Sequence, residues 1–240
     1  MTVGTLQVWT MRTEGLADPD VAPWLNLLNA QERARAGRYV FGQHRNTYIA
    51  AHALTRVVLS RLDPATPAAA WRFEAGPHGK PRAWVDGRPG ALTFNLSHTD
   101  GLVGLATLRS PGCELGFDVE RIDRKVTLAV ADRFFRPEET AWLQSLPEPG
   151  RPEGFLRLWT LKEAFIKATG EGLARDLASF WFTLPPPRIR FEPPGGDDPA
   201  DWHFEQRVVA GSHLAAVGLR RPPDHVIAAG WLEVDPAEIR

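Results

Sequence analysis

The sequence predicts an α+β fold of two similar subdomains related by a pseudo-twofold axis, each with antiparallel strands packed on helices. One observation is the order of the elements, because each half of the 240 residues reads as helices followed by strand-like segments. Another is an internal echo: SHTDGLVGLATLR (97–109) and AGSHLAAVGLRR (210–221) both read as a turn followed by a small-residue, apolar strand. We therefore expect an N-terminal subdomain over residues 1–112 and a C-terminal subdomain over residues 113–240.

The first half opens with an alternating segment over residues 5–12, which indicates a strand. Helices are predicted to follow over residues 23–36 and 43–61, and the second has apolar side chains at strict helical spacing. The segments 70–85 and 91–109 each read as a strand, a turn and a second strand.

The second half begins with the strand CELGFDVE (113–120) and then turns helical. Helices are predicted over residues 127–135, 136–146 and 155–173, with a loop at 147–154. Glycines at positions 170 and 172 are expected to end the last of these helices. The remaining strands are predicted over residues 179–184, 202–219 and 225–235, with a flexible hairpin loop at 192–201.

The overall composition is that of a globular protein with a substantial core. Hydrophobic residues make up 43% of the chain, and a net charge of −1 gives no sign of a nucleic-acid partner. No apolar run approaches the ~20 residues that cross a bilayer, and the N-terminus lacks the pattern of a signal peptide. The single cysteine, Cys113, has no partner for an internal disulfide, which is typical of a reducing compartment. We therefore expect a cytoplasmic protein that contacts neither membrane nor nucleic acid.

Positive charge is concentrated in residues 31–61. This segment has six arginines, at positions 33, 35, 38, 45, 56 and 61, against one acid, Glu32. Such an excess indicates either the solvated face of a helix or a site for an anion, and charge alone favours the solvated face.

Asp118 and Glu120, in the segment GCELGFDVERID (112–123), are the first candidate site residues. Residues i and i+2 of a strand point the same way, so these carboxylates repel each other unless their face is wet or holds a cation. The helix LWTLKEAFIKATG (158–170) places Glu163 and Lys167 four residues apart, which is also the ordinary spacing of a surface ion pair. Together the three carboxylates would suit a hard cation such as Mg²⁺, with Lys167 beside a phosphate that the metal binds. No Cys and His cluster has zinc spacing, which favours an oxygen-ligated metal.

Two other segments contain residues suited to phosphate. GPHGKP (76–81) has glycines that let the backbone approach a ligand, and Lys80 supplies a point charge, although a plain hairpin turn explains the segment equally well. NLSHTDG (95–101) places Ser97 and His98 at a strand end, where such groups more often cap a turn. No nucleophile elbow surrounds Ser97, so serine-hydrolase chemistry is not indicated.

Four motifs, in order, resemble those of the 4′-phosphopantetheinyl transferases of the larger, monomeric, surfactin-synthetase-activating type. GFDVERID matches the family's apolar-Gly-apolar-Asp-apolar-Glu strand, and WTLKEAFIKATGEGL matches its Trp-x-x-Lys-Glu-(Ala/Ser)-x-x-Lys helix. GPHGKPR and FNLSHTDG match two upstream motifs, so the resemblance covers roughly residues 35–175. One departure is Phe117, where isoleucine or valine is commoner in the family.

The resemblance implies a specific reaction. Members move the phosphopantetheine arm of coenzyme A onto a serine of an apo acyl or peptidyl carrier protein of a polyketide, non-ribosomal peptide or fatty-acid synthase, and release adenosine 3′,5′-bisphosphate. By motif, Asp118, Glu120 and Glu163 are implied as ligands of Mg²⁺, with Mn²⁺ as the alternative metal. Glu163 is also implied as the general base for the carrier serine, directly or through a water, and Lys167 as the group that neutralises charge on the phosphates.

Contacts to coenzyme A are implied for Lys80, Ser97, His98, Lys162 and Lys167. In the basic segment, Arg45 is the first candidate for the 3′-phosphate, ahead of Arg38 and Arg56. The resemblance also implies a monomer, and carrier proteins, which present an acidic helix, are expected to dock against residues 124–146.

Two other functions fit the same residues. A metal-dependent hydrolase of coenzyme A or of nucleotide pyrophosphates would use the same three carboxylates. A non-catalytic module that binds carrier proteins would not need those carboxylates and Lys167 together. Release of bisphosphate only in the presence of an apo-carrier would separate the transferase from the hydrolase.

Overall fold

The computed structural model describes residues 2–76, 79–192 and 197–239, without the side chains of Thr2 and Leu173. Pro77 and His78 of the GPHGKP segment, and residues 193–196 of the predicted hairpin loop, lie outside the described residues.

The elements alternate between helical and strand-rich stretches, as predicted. The helices are α1 (Asp18–Val21), α2 (Ala30–Ala36), α3 (Gly42–Leu62), α4 (Ala129–Phe134), α5 (Pro137–Ser145) and α6 (Arg151–Thr169). The strands are β1 (Thr2–Arg12), β2 (Arg72–Ala75), β3 (Pro81–Val85), β4 (Arg88–Pro89), β5 (Thr93–Thr99), β6 (Leu102–Arg109), β7 (Glu114–Arg121), β8 (Phe180–Thr183), β9 (Arg188–Phe191), β10 (Trp202–Val209), β11 (His213–Arg220) and β12 (His225–Glu233).

Two main sheets organise the molecule. The first has the order β12-β1-β6-β5, and its neighbours are antiparallel except for the parallel pair β1 and β12. The second has the order β10-β11-β7 and is antiparallel throughout. Smaller antiparallel sheets are formed by β2-β3-β4 and by β8-β9. The predicted α+β class, with antiparallel strands and helices, is confirmed.

The hydrophobic side chains form three cores, two of them under the long helices. The helix α3 packs on one face of the first sheet, and α6 packs on one face of the second. The third core lies between the two sheets, and its buried members are Leu6, Val8, Leu102, Ala106, Leu108, Leu115, Phe117, Val119, Ala215, Val217 and Leu219.

Alternation along β7 decides which side chains reach the site. The odd-numbered residues Leu115, Phe117 and Val119 are buried between the sheets. Because neighbouring residues of a strand point to opposite faces, Asp118 and Glu120 lie on the other side, toward α6. The predicted shared face of the two carboxylates follows from this packing.

Gly116 lets α6 lie directly on β7. A Cβ at this position would be 1.9 Å from the carbonyl oxygen of Ala164 and 2.4 Å from the amide nitrogen of Ala168. No side chain fits at that distance, so only glycine allows this approach. The close contact brings the α6 face with Glu163 and Lys167 over the carboxylates of β7.

Phe117, which departs from the family pattern, is accommodated by a glycine on the opposite sheet. A Cβ at Gly104 would be 2.5 Å from Cε1 of Phe117. The ring occupies the space that a side chain at position 104 would take.

The structure differs from the sequence-based elements where local caps and prolines intervene. The single helix predicted over residues 23–36 is wrong: a 3₁₀ turn spans Pro23–Asn26, and α2 starts afresh at Ala30. Asn29 causes the break, because its side chain accepts from the amide of Glu32 at 2.9 Å while the Glu32 carboxylate accepts from the Asn29 amide at 2.8 Å.

Two further differences concern the second half. The helix α6 begins at Arg151, inside the predicted loop 147–154, because proline is tolerated in its first turn. Strand β9 occupies Arg188–Phe191, for which no helix or strand was predicted.

Strand β12 lies in the predicted C-terminal subdomain but pairs with a strand of the predicted N-terminal one. It pairs with β1 from Thr2↔His225 to Thr10↔Glu233, so the last strand of the second half adds to the sheet of the first. The division into two subdomains stays a prediction. Within the described ranges, no helix combines the length and the apolar character needed to cross a bilayer.

Candidate active site

Ser97, Asp118 and Lys167 meet in one cluster, and each comes from a different element. The hydroxyl of Ser97 on β5 donates to Oδ1 of Asp118 on β7 at 2.9 Å. Nζ of Lys167 on α6 lies 2.6 Å from the same oxygen and 3.0 Å from Oγ of Ser97. Asp118 is only 4% exposed, so this ion pair is stronger than one in open water.

Side chains of β5 reach β7 at every second residue, which joins the edges of the two main sheets. Asn95 accepts from the amide of Phe117 at 2.9 Å, and Ser97 bonds to Asp118. Thr99 donates to Oε2 of Glu120 at 3.3 Å. The candidate site therefore forms where the two halves of the molecule meet.

The two β7 carboxylates are neutralised in different ways. Asp118 faces Lys167, whereas Oε1 of Glu120 accepts from Arg124. Glu163 has no hydrogen-bond partner among the residues that the structure describes, although it is half-buried. Burial raises the pKa of Glu163, and the charges of Asp118 and Glu120 add to this, while Lys167 acts in the opposite direction. A half-buried carboxylate with a raised pKa suits proton abstraction better than an ordinary surface glutamate does.

The carboxylates have the chemistry of a hard-cation site. Oδ2 of Asp118 is buried and has no hydrogen-bond partner among the described residues, so one strong acceptor is left for a further cation. In the present arrangement of the described residues, no three His, Cys, Asp or Glu side chains are gathered around one point. Instead, Glu120 forms an ion pair with Arg124, and Asp118 forms one with Lys167. The donor set of Asp118, Glu120 and Glu163 nevertheless fits Mg²⁺, which prefers oxygen ligands.

A cleft of about 290 Å³ opens beside this cluster, between β5 and α6. Asn95 and Leu96 line one wall, and Glu163, Ile166 and Lys167 line the other. A substrate in this cleft would contact both the free carboxylate of Glu163 and the ammonium group of Lys167.

His98 lies at the exposed edge of the site, among several cationic side chains. Partial desolvation lowers its pKa, and electrostatic interactions with Lys167, His52, Arg35 and His44 lower it further. Such a field around a neutral imidazole favours binding of an anion.

Comparison with known proteins points to one family. Residues 114–218, a range that includes the site residues of β7 and α6, match the model of the 4′-phosphopantetheinyl transferase superfamily. Over 174 residues the chain is 34% identical to slr0495 of Synechocystis, which bears the name of a 4′-phosphopantetheinyl transferase, with 71% of this chain and 67% of the relative covered. The chain belongs to this superfamily.

Further relatives have the same family name. The 4′-phosphopantetheinyl transferase HetI of Nostoc is 35% identical over 149 residues, with 62% of each chain covered. The 4′-phosphopantetheinyl transferase psf-1 of Bacillus pumilus is 35% identical over 150 residues, which cover 62% of this chain and 61% of the relative. The chain thus spans under two thirds of the length of these two relatives. The resemblance inferred from the four motifs is confirmed.

The predicted contact between Lys162 and coenzyme A is wrong. Its side chain is fully buried, and Nζ donates to the carbonyl oxygens of Leu177 and Phe180 at 2.9 and 2.8 Å and pairs with Glu139 at 2.9 Å. Burial lowers the pKa of Lys162, against the opposing charge of Glu139. This lysine therefore ties α6 to α5 and to the start of β8, and it is not available to a ligand.

Lys80 faces protein carbonyls rather than open solvent. Nζ donates to the carbonyl oxygen of Ala168 at 2.7 Å and to that of Leu115 at 3.0 Å. Burial lowers its pKa to about 8, with the nearby charge of Arg82 acting the same way and that of Glu114 opposing. Lys80 joins the end of α6 to β7, and its predicted contact with phosphate stays a prediction.

The arginine candidates for the 3′-phosphate differ in availability. Arg56 is fully buried and donates to Glu32 at 2.6 Å and to the carbonyl oxygen of Trp71 at 3.0 Å, so it holds α3 to α2 instead of facing a ligand. Arg45 is partly exposed and pairs with Asp18. Arg35 and His44, which the sequence-based prediction did not select, are close enough to His98 to influence its pKa.

Three residues that shape the site were missed by the sequence analysis. Asn95 and Thr99 precede and follow Ser97 by two residues, so the period of a strand could have placed them on the same face. Gly116 stands two residues before Asp118 and belongs to the family motif, but its contact with Ala164 depends on tertiary packing. Nothing in the local sequence specifies that contact.

Proposed function

We propose that this protein transfers the 4′-phosphopantetheine arm of coenzyme A to a serine of an apo acyl or peptidyl carrier protein, and releases adenosine 3′,5′-bisphosphate. The observation that carries the proposal is the cleft in which Glu163, free of any hydrogen-bond partner in the described chain, lies one helical turn from Lys167. Membership of the transferase superfamily supports the same reaction.

The chain's own residues supply an acceptor for the proton and a charge for the phosphates. Glu163 accepts the proton of the carrier serine, because its carboxylate lines the cleft and has no hydrogen-bond partner among the described residues. Lys167 neutralises negative charge that grows on the departing phosphate, while Asp118 holds the lysine in place at 2.6 Å. Ser97 fixes both partners through its single hydroxyl.

Asp118, Glu120 and Glu163 would hold Mg²⁺ or Mn²⁺. Oδ2 of Asp118, which has no hydrogen-bond partner within the described ranges, supports this assignment. When bound, the metal would polarise the pyrophosphate and neutralise charge on its oxygens.

The basic groups around His98 would bind the phosphates at the adenosine end of coenzyme A. Arg35 and His44 join His98 as candidates, because both act on its pKa from nearby. Arg45 remains a candidate on the condition that it leaves Asp18.

The carrier is proposed to dock along α4 and the segment that precedes it. Lys125 and Arg133 are exposed there and would meet the acidic helix of a carrier, whereas Phe135 is 5% exposed and belongs to the core. A doubled charge reversal, Lys125→Glu with Arg133→Glu, is expected to raise the KM for the carrier and to leave the KM for coenzyme A unchanged.

We also propose an arrangement of subdomains, an oligomeric state and a cellular location. Two subdomains related by a pseudo-twofold axis are supported by the matched pairing of one sheet with one long helix in each half. A division near residues 112 and 113, with β12 returning to the first sheet, suits this arrangement. A monomer in the cytoplasm is the proposed working form.

Intact mass spectrometry of an apo-carrier incubated with the protein, coenzyme A and Mg²⁺ tests the reaction. We expect the carrier to gain one phosphopantetheine group, and to gain nothing when EDTA is present. Bisphosphate released without any gain in carrier mass would instead favour a hydrolase of coenzyme A. Binding of the carrier with no change in coenzyme A would favour a non-catalytic module.

A further inference from the structure

We propose that His213 is a positioning residue for the reaction, because it holds the turn between β5 and β6 that directly follows His98 and Thr99. The inference rests on the proposed function and assigns a role to a residue outside the four family motifs.

His213 bonds across the two halves of the molecule. It is the first residue of β11, is 2% exposed, and its Nε2 lies 2.8 Å from the carbonyl oxygen of Asp100. A carbonyl oxygen only accepts, so Nε2 must carry the proton and donate. Nδ1 lies 3.0 Å from the hydroxyl of Ser212, which holds the ring from its other side. The imidazole is therefore aimed at the backbone of the turn.

The turn packs against the same pair of strands at its next residue. Gly101 has a φ of +82°, and a Cβ there would lie 3.3 Å from Nη1 of Arg121 and 3.6 Å from Cε1 of His213. Arg121 and His213 are directly opposite each other in the β7–β11 ladder. Arg121 also reaches the carboxylate of Asp100 at 4.0 Å. Two side chains of the second sheet thus clamp a turn that belongs to the first.

The clamp lies immediately beside the site residues. Ser97, His98 and Thr99 are the last three residues of β5 before the turn. Ser97 contacts Asp118 and Lys167, and Thr99 contacts Glu120, so a displaced turn would move each of these contacts. These side-chain contacts link β5 to β7, and the bond from His213 adds a link from β11 to the turn that follows β5.

A buried histidine that only satisfies its own hydrogen bonds would stabilise the fold without changing the reaction. The position of this one argues for more, because its partner is 113 residues away in the chain and lies two residues from His98. The effect of His213 should therefore appear in the binding of coenzyme A.

The test compares three variants with the unmodified protein. His213→Ala removes the donor, His213→Gln retains an N–H that can reach the Asp100 carbonyl, and His203→Ala is the matched control on the exposed side of β10. We expect His213→Ala to raise the KM for coenzyme A about tenfold, with the KM for the carrier unchanged. His213→Gln should recover most of this loss, and His203→Ala should match the unmodified protein.

Calorimetric binding of coenzyme A and a double-mutant cycle separate positioning from simple stability. If His213 acts through the turn, the double variant His98→Ala with His213→Ala should bind coenzyme A only slightly more weakly than the weaker-binding single variant. A kcat that falls only in proportion to the folded fraction, with an unchanged KM for coenzyme A, would overturn the proposal. A His213→Ala variant with the same kinetic constants as the unmodified protein would also overturn it. Unmodified protein that binds coenzyme A but modifies no carrier would contradict the proposed function, while the binding constants of the variants still test His213.

Discussion

Among the single residues of the site, Asp118 connects the three elements β5, β7 and α6. Its Oδ1 accepts hydrogen bonds from Ser97 and Lys167, and its Oδ2 is buried with no partner in the part of the chain that the structure describes. Removing its charge would release Lys167 and would also remove an acceptor proposed for the metal. The same residue is thus expected to affect both phosphate neutralisation and metal binding.

Asp118→Asn is expected to lower kcat by about 100-fold or more, a magnitude typical of the loss of one preorganised electrostatic group. The fold should remain, because asparagine has nearly the same shape and can still accept from Ser97. Turnover by intact mass and far-ultraviolet circular dichroism measure the two effects. Near-normal turnover would remove Asp118 from the proposed machinery.

Lys167→Met separates catalysis from binding. Charge on the phosphates grows toward the transition state, so we expect kcat to fall more than the affinity for coenzyme A. The exposed Arg190 provides a control of the same charge, as Arg190→Met. A pure rise in KM, with kcat intact, would make Lys167 a binding residue only.

At the scale of elements, the contact of α6 with β7 sets the geometry of the site. Gly116 makes that contact feasible, and the Lys80 and Lys162 ammonium groups fasten α6 to β7 and to the second core. These two lysines belong to conspicuous motifs, but the structure places both against backbone carbonyls. Their roles here are structural links around the helix that presents Glu163.

Gly116→Ala is expected to lower the free energy of unfolding by about 1–3 kcal/mol, since its Cβ would overlap backbone atoms of α6. Urea unfolding followed by tryptophan fluorescence measures this. Gly150→Ala is the control, because a Cβ there meets no atom within 4 Å. Equal stability of the two variants would show that α6 does not rest on β7 as closely as described.

Many of the helices and strands could be predicted from the sequence, and the reasons differ between elements. The helix α3 and the end of α6 at Gly170 follow from apolar spacing and from a glycine at positive φ, both of which are local signals. The pairing of β12 with β1 and the burial of Lys162 depend on residues far apart in the chain, and no local pattern specifies them. The shared face of Asp118 and Glu120 was predictable because it needs only the period of a strand.

At the scale of the whole molecule, a buried charge network stabilises the first half. Glu32 accepts from Arg56 and contacts Nδ1 of His52 at 3.1 Å, and its carboxylate also caps α2. Burial alone would raise the pKa of Glu32, but its hydrogen bonds with His52 and Asn29 and the charge of Arg56 outweigh burial and lower the pKa to about 2. Glu32 therefore stabilises the fold in its ionised form.

This network predicts how stability depends on pH. The stabilisation is complete above the ordinary carboxyl pKa near 4.5 and is lost as the pH falls from there toward 2. Glu32→Gln should cost about 3–5 kcal/mol at pH 7, because Arg56 is left buried without a counter-charge. The difference between the two proteins should shrink from pH 5 to pH 2 in urea unfolding, whereas the exposed Glu148→Gln should show no such trend. A difference that is constant with pH would contradict the network.

The cleft between β5 and α6 is proposed to transfer phosphopantetheine rather than to hydrolyse coenzyme A. The most direct test is to measure adenosine 3′,5′-bisphosphate and modified carrier in the same reaction as the apo-carrier concentration is varied. We predict one bisphosphate for each modified carrier, and none when the carrier is left out. Bisphosphate that appears at the same rate without carrier would show that the protein hydrolyses coenzyme A instead.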